Sequence, residues 1–146
     1  MTCDMHKETL AASAALVGRL LLASLFLLEA MSKIRGYELA MAYMERFSVP
    51  SALLPLVIII ELGGALLIAI GWQARLAALT LAIFCILTAV LFHTNSADRN
   101  QVLHLEKDLA IAGGLLVLFA FGPGPYAIEA RKRPSNARPV TPGKER

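Results

Sequence analysis

The chain has 146 residues, 57% of them hydrophobic and 17% charged, with a formal net charge of +3. Its apolar content exceeds the roughly 45–50% usual in soluble domains, which argues against an ordinary soluble globular protein. Its two cysteines, Cys3 and Cys85, form no C-x-x-C motif, so neither a disulfide framework nor a thiol relay is indicated. Because Cys85 lies in an apolar run, we predict that it is a small core residue.

Four apolar segments, in chain order, come close to the roughly 20 residues that a helix needs to cross a hydrocarbon core about 30 Å thick. They are residues 10–31, 51–70, 74–92 and 105–122. These segments predict an all-α integral membrane protein built as a bundle of four spanning helices. A soluble four-helix bundle is the alternative, but its helices would each need a polar stripe, and LAALTLAIFCILTAVLF has only scattered threonines.

The segment GYELAMAYMERFSVP, between the first two spans, has apolar residues at helical spacing and glutamates on another face. The apolar residues are Tyr37, Ala40, Met41, Met44 and Phe47, and the glutamates are Glu38 and Glu45. The pattern predicts a short helix that lies in the outer interface of the membrane and ends before Pro50. Such a helix either packs on the bundle as a lid without ligand contact or gates a site.

Basic residues determine the expected orientation. Arg131, Lys132, Arg133 and Arg138 follow the last span, and an even number of spans puts both termini on one side, so both are predicted to be cytoplasmic. The predicted organisation is a cytoplasmic N-terminus (1–9), a four-span domain (10–124) and a basic, disordered cytoplasmic tail (125–146).

Charged residues interrupt the first two spans: Arg19 and, near its end, Glu29 in the first, and Glu61 in the middle of the second. The deepest two are Arg19 and Glu61. At 1.5 Å per residue, Arg19 lies roughly 18–20 Å below the outer end of its span and Glu61 roughly 15–16 Å below the outer end of its own. The shared depth predicts a buried ion pair between them. This pair is either a site that binds or protonates a ligand, or a structural contact that fixes helix register.

A second group of polar residues is predicted at the outer mouth of the bundle. It consists of Glu29, Lys33, His93, His104, Lys107 and Asp108. Together they bring acids, bases and an imidazole into a small volume, although each taken alone has a structural explanation, such as a lysine reaching towards lipid headgroups. The histidines lack metal-ligand spacing, so neither a metal site nor haem is expected.

Several ordered motifs resemble the DoxX family over about residues 18–124. They are GRLLLASLFLLEAMSKIRGYELAMAYM, VPSALLPLVIIIELGGALLIAIGWQAR, a span that ends in LFH, and NQVLHLEKDLAIAGGLLVLFAFGPG. The residues that match the recurring pattern are Arg19, Lys33, Gly36, Glu61, Gly63, Gly64, Gly71, His93, Lys107, Gly113, Gly114 and Gly122-Pro123-Gly124. Asp108 and Glu29 depart from it, and both make the mouth more acidic.

The resemblance implies a four-span inner-membrane protein, in a family named for subunits of a thiosulfate:quinone oxidoreductase and quinol oxidase. The leading hypothesis is a subunit linked to quinone or other redox chemistry. Glu61, held by Arg19, would exchange a proton with a quinone headgroup or hydrogen-bond to it. The residues shaping its binding site would be Glu29, Lys33, His93, Lys107 and Asp108.

Two alternatives stay open from the sequence. One is a non-catalytic anchor or assembly subunit of an oxidoreductase, and the other is a small-solute carrier. The expected partners are the lipid bilayer, a redox protein and a second copy of the chain, and not nucleic acid.

Overall fold

The computed structural model describes residues 2–92 and 99–132, which form α-helices and one 3-10 turn and contain no β-strand. The helices are α1 (Thr2–Arg35), α2 (Tyr37–Arg46), α3 (Leu54–Ile70), α4 (Ala74–Phe92), α5 (Arg99–Phe121) and α6 (Ile128–Lys132), and the 3-10 turn is Ser51–Leu53. Glycines end two of them: Gly71 (φ +74°) follows α3 and Gly122 (φ +84°) follows α5. Both adopt the left-handed conformation that glycine allows at a helix C-terminus.

Three helical segments in the described part of the chain are long and apolar enough to cross a membrane: Met5–Arg35, Ser51–Ile70 and Ala74–Phe92. The all-α class is therefore confirmed, and helices form at the first three predicted spans. α5 differs from these segments because Glu106, Lys107 and Asp108 lie together in its first half.

The helices pack in the order α1, α3, α4, α5. α1 packs along α3, α3 against α4, and α4 along α5, whereas α1 touches α5 over a short stretch. The buried core contains Phe26, Ile68, Leu81 and Leu115, surrounded by many alanines. Small residues let helices approach closely, which gives van der Waals contact inside a membrane protein that the hydrophobic effect does not hold together.

Neighbouring glycines in α3 differ in their packing. A Cβ on Gly64 would lie 2.8 Å from the Cγ of Leu81, which is fully buried, whereas a Cβ on Gly63 would meet nothing within 4 Å. We therefore expect Gly64→Ala to destabilise the protein by about 1–3 kcal/mol through overpacking. Gly63→Ala serves as the matched control and should stabilise the helix by about 0.5–1 kcal/mol. Thermal unfolding in detergent, followed by circular dichroism, measures both, and equal effects would contradict this packing.

The predicted short helix between the first two spans is confirmed as α2, and its place in the outer interface stays a prediction. Gly36 separates it from α1, and its buried residue is Met44. Tyr43 of α2 and Phe47, directly after it, reach the end of α4: Tyr43 stacks on Phe92 at 5.5 Å between ring centroids, and Phe47 meets Phe92 edge-on at 5.3 Å. This aromatic group anchors α2 over the end of α4. Whether α2 gates a site stays a prediction.

The prediction of a disordered tail from residue 125 is wrong for residues 125–132. This segment contains α6, and it returns to the α3–α4 turn, where the backbone N–H of Glu129 donates to the carbonyl of Gly71 at 3.2 Å. Ala127 is 1% exposed and packs on Gly71. Local apolar contact and backbone hydrogen bonding outweigh the polar composition here. Residues 133–146 lie outside the described residues.

Candidate functional site

Lys33 of α1 and Glu61 of α3 form an ion pair. The Nζ of Lys33 donates to Oε1 of Glu61 at 2.9 Å and to Oε2 of Glu29, one turn earlier in α1, at 3.4 Å. The exposed fractions of the side chains are 4% for Glu61, 25% for Lys33 and 47% for Glu29. The ammonium group therefore lies between a buried carboxylate and a carboxylate at the surface.

The predicted ion pair between Arg19 and Glu61 is not formed, although both residues are buried, with 3% of each exposed. Nη1 of Arg19 lies 2.6 Å from the place of a Cβ on Gly71, ten residues beyond Glu61 and so about 15 Å along α3. The prediction of this pair placed the outer ends of the first two spans, residues 31 and 51, at the same depth in the membrane. In fact α1 continues to Arg35, and the contact of Lys33 with Glu61 determines the register.

Arg19 belongs to a different group, here called the arginine clamp, which consists of Arg19, Pro123 and Tyr126. Its Nη1 donates to the carbonyl of Pro123 at 3.0 Å and its Nη2 to the carbonyl of Tyr126 at 3.3 Å. A cation donating to carbonyls just beyond a helix C-terminus also interacts favourably with the helix dipole, here that of α5. The clamp ties the start of the chain to the segment that follows α5. Arg19 is thus not a partner of Glu61, and its buried Nε has no hydrogen-bond partner among the described residues.

Glu61 has one free acceptor atom. Its Oε1 accepts from Lys33, but its buried Oε2 has no hydrogen-bond partner among the described residues. A buried acceptor without a donor costs roughly 1–3 kcal/mol, and more when it is charged. Such an atom in a native site calls for an explanation, and a bound group that donates a hydrogen bond supplies one.

Cys85 of α4 lies beside this pair. The contact of Gly64 with Leu81 aligns antiparallel helices α3 and α4 so that Glu61 is level with residues 84–85. Glu29 and Lys33 join Glu61 at this level, and Lys107 and Asp108 lie in α5, which packs along α4. Cys85 is buried in the core as predicted, and it is also a neighbour of these charged groups. We call Glu29, Lys33, Glu61, Cys85, Lys107 and Asp108 the polar cluster.

Of the predicted mouth residues, Glu29 and Lys33 contact each other, and a single site formed by the whole set stays a prediction. Asp108 is half-buried and Lys107 is exposed, both in the first half of α5. His104, which has an interaction partner, lies one turn before Asp108. His93, also predicted at the mouth, lies outside the described residues. The cluster therefore draws on α1, α3, α4 and α5.

Comparison with known proteins decides the family. The family model described as DoxX matches residues 14–94, more than half of the chain. The chain belongs to the DoxX family. The resemblance noted in the sequence is thereby confirmed, and Arg19, Lys33, Glu61 and Cys85 all lie in the matched region.

Two relatives of this DoxX protein are inner membrane proteins of Escherichia coli (strain K12). YqjF is 46% identical over 114 residues, which span 78% of this chain and 88% of the relative. YphA is 27% identical over 123 residues, which span 80% of this chain and 88% of the relative. No solved structure matches the chain. Together with its apolar helices, these relatives identify the chain as a membrane protein.

The sequence contained signals for the two contacts that were missed. Gly71 and Gly122-Pro123-Gly124 both mark helix ends, which leave backbone carbonyls without helical donors, and Arg19 supplies donors there. Lys33 lies one turn after Glu29, at the point where α1 leaves the apolar run, so its long side chain can reach back into the bundle.

Proposed function

We propose that the chain is a four-span subunit of the inner membrane that binds a quinone headgroup between Lys33 and Glu61. The observation that carries this proposal is the buried Oε2 of Glu61, which has no donor, next to an oxygen that is already paired with Lys33. The electron-transfer chemistry belongs to the quinone and to a separate redox protein partner.

The chemistry of the two side chains suits a quinone and its reduced form. The ammonium group of Lys33 can donate to a carbonyl oxygen, and the free Oε2 of Glu61 can accept from a hydroxyl group. When bound, a quinone supplies exchange of electrons and protons. The contribution of the chain is to orient the headgroup and to hold or release a proton at Glu61. Arg19 takes no part in this site, because its guanidinium lies beside Gly71, about 15 Å along α3 from Glu61, although its buried Nε also has no partner among the described residues.

The proposal includes α5 as the fourth span. α5 packs along α4, its 23 residues reach about 35 Å, and Leu109–Phe121 carries no charge. With four spans and a basic C-terminal tail, both termini are cytoplasmic and the polar cluster faces the opposite side. Fusing green fluorescent protein or alkaline phosphatase to the C-terminus tests this arrangement. Fluorescence without phosphatase activity is expected, and the reverse would contradict it.

The function is tested by binding of labelled short-chain ubiquinone and menaquinone to the purified protein in nanodiscs. We expect Glu61→Gln to weaken binding by about 10- to 100-fold, because one hydrogen bond to a charged group contributes about 1.5–3 kcal/mol. The amide oxygen still accepts from Lys33, so the fold should persist. The matched control is Glu38→Gln, an exposed glutamate of α2, which should bind as the wild type does.

A failure to bind either quinone, or equal binding by Glu61→Gln, would contradict the proposal. The second candidate is then an assembly subunit without catalytic function. The arginine clamp favours it, because both Nη groups of a buried cation join chain segments there. In that case Glu61→Gln should reduce recovery of partner proteins in mild detergent and leave quinone levels unchanged.

A further inference from the structure

α1 and α5 meet only in part of their length. Leu22 of α1 lies 3.6 Å from the place of a Cβ on Gly114 of α5, and Ala15 lies 3.1 Å from that on Gly124. The arginine clamp joins the same two chain regions. All of these contacts lie between Leu22 and the arginine clamp. The contact between α1 and α5 is much less extensive than that between α4 and α5.

Opposite charges face each other beyond the last of these contacts. Seven residues are two helical turns, so Glu29 lies on the same face of α1 as Leu22, and Lys107 lies on the same face of α5 as Gly114. α1 runs towards the end of the bundle where α2 lies, and α5 runs away from that end, so the two helices are antiparallel. Both residues are therefore about 10 Å beyond the contact of Leu22 with Gly114, on opposite walls.

Exposure changes along these two walls. Leu22 and Gly114 are half-buried, whereas the side chain of Glu29 is 47% exposed and Lys107 is exposed. Helix faces that pack together at one level and are exposed two turns later leave an opening between them. Behind the opening lie Lys33 and Glu61, because Glu29 accepts from the same Lys33 ammonium group that donates to the buried Glu61.

We propose that the space between α1 and α5 is a lateral opening, through which a ligand with a polar head and a long apolar tail reaches Glu61 from the bilayer. Glu29 forms one side of the opening and Lys107 the other. When Glu29 leaves its ion pair with Lys33 and pairs with Lys107 instead, the opening becomes narrower. The quinone identity of that ligand rests on the proposed function, whereas the opening and its two charged residues do not.

Cys85 provides a reporter that needs no quinone. In a Cys3→Ser background reconstituted into liposomes, labelling of Cys85 by an uncharged apolar maleimide measures access from the bilayer. Lys107→Glu places like charges on both sides of the opening, so labelling should accelerate by about fivefold, the upper end of what an exposed ion pair contributes. The reversed pair Glu29→Lys/Lys107→Glu should restore the wild-type rate, and Lys107→Gln should lie between.

The route is tested with a sulfonated maleimide, which does not dissolve in the bilayer. Slower labelling of Cys85 by this reagent supports lateral access, and faster labelling overturns it in favour of access from water. An unchanged rate in Lys107→Glu, or a reversed pair that fails to restore the rate, overturns the role of Glu29 and Lys107. Thermal unfolding of each variant shows whether a rate change reflects loss of the fold.

Cross-linking tests the distance across the opening. In a Cys3→Ser/Cys85→Ala background, Glu29→Cys with Lys107→Cys should form a disulfide on mild oxidation, and Glu29→Cys with Val117→Cys, ten residues further along α5, should not. The cross-linked protein should then bind labelled short-chain ubiquinone more slowly until it is reduced. If no quinone binds, but cross-linking still slows the binding of lipids labelled at the headgroup, the opening is supported and only the identity of the ligand is wrong. Absence of the disulfide overturns the proposed narrowing by Glu29 and Lys107.

Discussion

Lys33→Met is expected to destabilise the protein by about 3 kcal/mol, the lower end of the range for removing one partner of a buried ion pair. The side chain of Glu61 is 4% exposed and would lose the donor to its Oε1, while its Oε2 already has none. The lower end applies because Lys33 is itself 25% exposed. Thermal unfolding in detergent measures the loss.

The control for Lys33→Met is the double variant Lys33→Met/Glu61→Met. It replaces both charges with apolar side chains of similar length, so most of the lost stability should return. A single Lys33→Met variant as stable as the wild type would show that the ion pair contributes nothing. A double variant less stable than Lys33→Met alone would show that Glu61 is stabilised by groups other than Lys33.

Arg19→Met should cost about 2–4 kcal/mol of stability and loosen the segment after α5. Both Nη groups of Arg19 donate to carbonyls, and a hydrogen bond to a charged group contributes about 1.5–3 kcal/mol. Methionine fills a similar volume but leaves the carbonyls of Pro123 and Tyr126 without their donor. Trypsin cleavage after Arg131 and Lys132 should become faster, because the clamp holds the preceding segment in place.

Arg35→Met is the matched control for Arg19→Met, since Arg35 lies in the same helix but is exposed. Its unfolding temperature and cleavage rate should match those of the wild type. Equal cleavage rates in Arg19→Met and Arg35→Met would mean that the clamp does not hold the C-terminal segment.

Sequence patterns predicted the helices much better than they predicted the partners of the charged residues. The bounds of α4 are those of the predicted third span, because a turn lies on one side and an apolar run ends on the other. The partner of Glu61 depended on the register of α1 against α3. That register follows from how side chains interlock along both helices, as at Gly64 and Leu81, and no single segment encodes it.

The C-terminal segment shows the same limit. Its Pro-rich, basic composition is typical of a disordered tail, yet Ala127 fits against Gly71, which has no side chain to exclude it. This packing requires the left-handed backbone of Gly71 and the hydrogen bonds that Arg19 of α1 donates. Arg19 lies more than fifty residues before Gly71 in the sequence. Of the predicted mouth, in contrast, Glu29 and Lys33 do lie together, because residues four apart share one face of a helix.

The arginine clamp also has a consequence for biosynthesis. The acceptors of Arg19 lie 104 and 107 residues later in the chain. At a synthesis rate of about 5–20 residues per second, the guanidinium group waits about 5–20 s for them. During that interval the first helix carries a cation without its final partners, so the insertion machinery must keep it in contact with water or headgroups until the last helix has been delivered.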